Sequence, residues 1–154
     1  MDFTVQKAKA INAILKGKVT FVGVGNPMKG DDGFGPYVAK KIKGCIDAQT
    51  VPENFISAIK KMGPDYVVVF DALDFGGRPG EVKIVDAGRS RGMLLSTHAL
   101  PLSKFSDLLK PAKVWLIGVQ PAKAGFGDGI STEVLESADI IVNEVSRWLN
   151  SKKQ

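Results

Sequence analysis

Three aspartates and one histidine are the residues whose types and spacing could do chemistry. Asp31 and Asp32 lie in a loop, Gly23-Val24-Gly25-Asn26-Pro27-Met28-Lys29-Gly30-Asp31-Asp32-Gly33-Phe34-Gly35. Asp71 ends an apolar run, Tyr66–Phe70, and His98 stands in Leu95-Ser96-Thr97-His98-Ala99-Leu100-Pro101. If Asp32, Asp71 and His98 converge, they make a mixed oxygen and nitrogen donor set with open positions. That set suits a divalent transition metal such as Ni, Zn, Mn or Fe. It suits a metal-free acid/base group equally well, because close carboxylates raise each other's pKa and an imidazole can share the proton. Asp31 and Asp32 also have a plain use near a helix start, where negative charge favours the helix dipole. Asp74 reads as an Asx-type turn residue.

Other chemistries are excluded by what the chain lacks. His98 is the single histidine and Cys45 the single cysteine. No internal disulfide framework and no Cys₄, Cys₂His₂ or His₃ zinc site is therefore available within one chain. Cys45 follows Gly44 where a new strand starts, away from His98, and reads as a buried structural thiol. The 23–35 loop begins like a dinucleotide fingerprint, but Met28 stands where the third glycine belongs. Pro27 removes a backbone donor, and two aspartates would repel phosphate. The chain carries 21 basic and 16 acidic residues, a net charge of +5. The lysines are spread along the sequence without interleaved aromatics, so they read as solvated surface, with an acidic protein partner preferred over nucleic acid. Residues 1–7 have no apolar leader, and the absence of disulfides fits a reducing compartment; the expected location is the cytoplasm.

These residues need elements to position them. With 154 residues, the expectation is one domain spanning 1–154, with a lead-in helix within residues 1–18. Val19–Gly25, Ile46–Val51, Tyr66–Phe70 and Val114–Gln120 read as strands. Helices are expected after Pro36, after Pro52, over Pro101–Leu109, and from Ser131 as N-cap onward. The connection Asp74–Gly80 is too short for a crossover helix, so Glu81–Asp86 should be an antiparallel edge strand. The fold class is α/β: a three-layer domain, a mostly parallel twisted sheet with helices on both faces. Ligands in such folds bind outside the carboxyl ends of the strands, here after Gly25, Phe70 and Val119.

An ordered set of segments carries a family resemblance. These are Gly23-Val-Gly-Asn26 with Gly30-Asp-Asp-Gly33-Phe-Gly35, Pro52-Glu53-Asn54, and Val69-Phe-Asp71-Ala-Leu-Asp74. Pro79-Gly80-Glu81, Ser96-Thr-His98-Ala-Leu-Pro-Leu102 and Ile117-Gly-Val-Gln120-Pro121 follow. The chain resembles the hydrogenase maturation endopeptidases, most closely the type serving the formate hydrogenlyase hydrogenase. The resemblance implies removal of a C-terminal peptide from the precursor of a [NiFe] hydrogenase large subunit after nickel insertion. It implies that Asp32, Asp71 and His98 are the catalytic and metal-contacting trio, and that the nickel is supplied by the precursor. Asn26, Gly30 and Asp31 are the matching substrate-loop candidates. Two other readings compete: a small hydrolase that owns its divalent metal, and a non-catalytic nucleotide-binding or scaffold module. The lead-in before Val19 departs from the family pattern and is expected to be a surface helix or a partner contact.

Overall fold

A computed structural model describes residues 3–97, 100–122 and 125–153. Its centre is a five-stranded sheet in the order β2-β1-β3-β5-β4. The strands are β1 (Val19–Val24), β2 (Ile46–Gln49), β3 (Tyr66–Ala72), β4 (Val82–Asp86) and β5 (Lys113–Val119). β1 pairs in parallel with β2 and β3, and β3 in parallel with β5. β4 runs antiparallel along β5, from Val82 opposite Val119 to Asp86 opposite Trp115. The short Asp74–Gly80 connection thus gives the antiparallel edge strand that its length requires.

The helices are α1 (Phe3–Ile14), α2 (Phe34–Lys41), α3 (Ile56–Met62), α4 (Leu102–Leu108) and α5 (Thr132–Ser151). Both sheet faces are apolar because strand side chains alternate between them. On one face Phe21, Val68, Phe70 and Ile117 pack with Ile11 of α1, Phe34 and Val38 of α2, and Ile141 and Val145 of α5. On the other, Val22, Val67, Val69 and Leu116 pack with Ile59 of α3 and with Leu102 and Phe105 of α4. The lead-in helix is therefore more than a surface addition: Ile11 is fully buried in the first of these clusters. Lys7 fastens the same helix, donating to the Gly80 carbonyl and the Ser137 hydroxyl. None of the described helices is long and apolar enough to cross a membrane.

Several boundaries differ from the sequence expectation, each for a local reason. β2 stops at Gln49 rather than Val51, because Gln49 takes a positive φ of 48° and turns the chain. The segment after Pro52 begins as a 3₁₀ turn, Pro52–Phe55, and becomes α-helical only from Ile56. β3 continues through Asp71 to Ala72, held by its ladder to Gly118 and Val119. Ser131 caps α5 by position, but its side chain makes no cap bond and donates instead to Asp31.

Candidate active site

The first half of the chain lays β2 on one side of β1, and the next strand, β3, on the other. This is the switch point at which an open parallel sheet leaves a crevice beyond its carboxyl edge. The loop after β1 carries Asp32, and the carboxyl end of β3 carries Asp71. The loop reaches this crevice because its glycines allow backbone to touch backbone. A side chain on Gly35 would meet the Val24 backbone at 2.1 Å and the Phe70 carbonyl at 2.6 Å. One on Gly25 would meet the Asp32 carbonyl at 1.9 Å. The start of α2 therefore rests directly on β1 and β3, preceded by a 3₁₀ turn, Gly30–Gly33.

The two adjacent aspartates of that turn face different surroundings. Asp31 is fully buried. One carboxylate oxygen accepts from Ser131 N at 2.6 Å. The other accepts from Ala122 N at 2.7 Å and the Ser131 hydroxyl at 2.9 Å. Asp31 thus ties the loop after β1 to the loop after β5. Asp32 lines a cavity of about 540 Å³ and accepts from Asn26 N at 2.8 Å through one oxygen. Asn26 in turn fixes the loop, its side-chain oxygen accepting from Met28 N at 2.9 Å. Gly30 supplies a positive φ of 54° at the turn. Asn26, Gly30 and Asp31 are therefore shapers of the loop that presents Asp32.

Asp71 lies behind the cavity wall formed by Ala72 and Ser96, and is 1% exposed. Its Oδ2 accepts from Ser96 N at 2.6 Å, whereas its Oδ1 is buried with no hydrogen-bond partner among the described residues. Burial pushes the carboxyl up to about 8; bonds from Ser96 oppose the shift, and the charge of Asp32 adds to it. His98 lies outside the described residues. Among the described residues, no group of three His, Cys, Asp or Glu side chains could hold a metal ion.

Asp74 is a site residue that the sequence hid behind a turn. It does form the expected Asx turn, accepting from Gly76 N at 3.2 Å. It also stands on the cavity wall, where the Gln120 amide donates to it at 3.1 Å. The Gln120 amide, helped by Gly76 N, holds the Asp74 carboxyl below its ordinary range. Lys29 and Arg91 add two cations to the same wall. Cys45 is half-buried rather than fully enclosed, and burial pushes its thiol up to about 12. It is a poor nucleophile at neutral pH.

A fixed carboxylate pair at the switch point of an α/β sheet is where the family resemblance puts its site. A family model described as hydrogenase maturation protease, HycI, matches residues 37–148. The chain belongs to this family. Asp71 and His98 fall within the matched residues, and Asp32 lies just ahead of them. The hydrogenase 3 maturation protease of Escherichia coli K12 is 33% identical over 135 residues, covering 81% of this chain and 86% of that relative. The crystal structure of the [NiFe] hydrogenase maturation protease HycI from Thermococcus kodakarensis KOD1 superposes with a TM-score of 0.81 at 29% identity. It covers 95% of this chain and 99% of that one. The solution structure of the endopeptidase HycI from Escherichia coli gives 0.74 at 30% identity, with coverages of 86% and 91%. As a hydrogenase maturation protease, the chain is a peptidase, and the non-catalytic scaffold reading falls away.

Proposed function

We propose that this endopeptidase removes a C-terminal peptide from the nickel-loaded precursor of a [NiFe] hydrogenase large subunit. In this reading, the nickel arrives with the substrate and reports that loading is complete. The observation that carries the reading is the divided use of the Asp71 carboxylate. One oxygen is fixed by Ser96 N, and the other is buried with no partner among the described residues. A buried carboxyl so arranged keeps its proton in the free enzyme and would exchange it for a cation brought by the substrate. Asp32 is likewise held through one oxygen while lining the cavity.

Two carboxylates, with His98 as third donor, would hold a free metal weakly but contact one already bound by the precursor. Peptide hydrolysis adds the water oxygen to the carbonyl carbon and delivers a proton to the leaving amine. A cation polarises that carbonyl and acidifies the water. The reading gives Asp32 and Asp71 the task of positioning metal and water, with His98 completing the shell. The lone thiol fits a cytoplasmic setting for the reaction.

The test is mass measurement of a candidate large-subunit precursor, with and without nickel, after incubation with this protein. Loss of a C-terminal peptide only from the loaded precursor is the expected result. Equal cleavage of both forms overturns the nickel reading, and so does tight stoichiometric metal on the purified enzyme alone.

A further inference from the structure

We propose that Ser96 is a positioning residue for the cleavage: its amide and its hydroxyl together hold one oxygen of Asp71, leaving the other oxygen for the nickel carried by the precursor. This inference rests on the function proposed above and deepens it. Among the described residues, four buried side-chain polar atoms lack a hydrogen-bond partner, and two of them are Asp71 Oδ1 and Ser96 Oγ. Buried polar atoms nearly always find partners, so two exceptions in one place call for an explanation. These two belong to residues already joined, since Ser96 N donates to Asp71 Oδ2 at 2.6 Å. The remaining two, on Asp47 and Trp115, stand on other strands, β2 and β5.

The Ser96 hydroxyl lies near enough to Asp71 to help oppose the upward push of burial on its carboxyl. It nevertheless makes no hydrogen bond of ordinary geometry to a described residue. A hydroxyl rotates about its C–O bond and both donates and accepts, so it serves the carboxyl without movement of the backbone. The backbone on both sides is seated. Asp71 is paired with Gly118 in the ladder of β3 and β5. Leu95 is buried in the cluster that holds Val22, Val69 and Leu102. Leu94 is bridged to Pro101, and Leu102 N donates to the Met93 carbonyl at 3.0 Å. Ser96 also lines the cavity, so it stands between Asp71 and a substrate that enters there. A carboxylate that meets a cation through one oxygen is ordinarily held by hydrogen bonds at the other, and losing such a partner costs about 10–100-fold in metal affinity or activity. Asp71 has one such bond in the free enzyme, and the donor for a second stands on the same residue.

The experiment compares wild type with Ser96→Ala and Ser96→Thr on nickel-loaded precursor. Ser96→Ala keeps the amide and removes the hydroxyl, whereas Ser96→Thr keeps both. Truncating a hydroxyl that has no partner strands no other group. The Tm of Ser96→Ala should therefore equal or exceed that of wild type, and hydrogen exchange at the residue-96 amide should stay as slow. Its kcat/KM should nevertheless fall about tenfold or more. Ser96→Thr should return kcat/KM to within about threefold of wild type. Wild-type processing by Ser96→Ala overturns the positioning role and leaves the proposed function standing. A loss of activity that tracks a lowered Tm, or that Ser96→Thr does not repair, also overturns it. Failure of wild type to cut any loaded precursor strikes the proposed function, and the role of Ser96 with it.

Discussion

Adjacent aspartates in one turn do opposite work, and substitution should separate them. Asp31 is an interior hub with at least three donors aimed at it among the described residues, so Asp31→Asn places an amide among donating groups. The expected cost is about 2–4 kcal/mol in urea denaturation, because buried donors lose a charged acceptor. Asp32→Asn keeps the turn and should instead remove most processing of loaded precursor, at little cost in stability. Asp71→Asn should remove processing too, but with the reverse stability effect. The fold keeps the Asp71 proton up to about 8, whereas an unfolded chain releases it at about 4. Across that window the folded state binds more protons, so its stability falls as pH rises. Relative to Asp71→Asn, the parent should lose about 1.4 kcal/mol per pH unit within the window. Thermal unfolding of both proteins at pH 5 and pH 8 checks this. Equal pH dependence would show that Asp71 does not hold its proton in the fold.

At the scale of elements, the site depends on how closely α2 approaches the sheet. Gly35→Ala would drive a methyl into the Val24 and Phe70 backbones. Both are held in the sheet, Val24 paired with Gln49 of β2 and Phe70 with Gly23 of β1. The expected outcome is loss of cooperative folding or a fall of more than about 3 kcal/mol, read by chemical denaturation and heteronuclear NMR. This contact also shows what the sequence could and could not disclose. Strands and helices were legible because apolar runs and helical spacing are local signals, and the antiparallel edge followed from a connection length alone. Asp32 and Asp71 were legible as candidates by residue type and by their place at strand ends, whereas His98 lies outside the described residues. The glycines around Asp31 and Asp32 showed only as an excess, because their cause is contact with β1 and β3. Asp74 and Gln120 lie far apart in sequence and meet only across the sheet edge, so the former read as a plain turn residue. The role of Asp31 was hidden likewise: Ala122 and Ser131 come from the last third of the chain.

For the whole molecule, the lead-in helix is part of the fold rather than an accessory. Ile11, Ile14 and Leu15 are buried against the same core that seats α2 and α5. Removing residues 1–16 should therefore cost about 3–6 kcal/mol, from lost apolar burial, and lower Tm with no direct change at the cavity. A loss under about 1 kcal/mol would mean the helix is dispensable. A different constraint of the whole fold follows from the turn that holds Asp31 and Asp32. Surface loops ordinarily accept added or deleted residues. The stretch from Gly25 to Gly35 has no such freedom, because its two ends are wedged against backbone and its two carboxylates are committed, Asp31 to Ser131 beyond β5 and Asp32 to Asn26 N within the loop itself. One inserted residue would rotate either carboxylate off its partner. Length here is as fixed as identity, so any drift in the size of this protein must be taken up in its other connections.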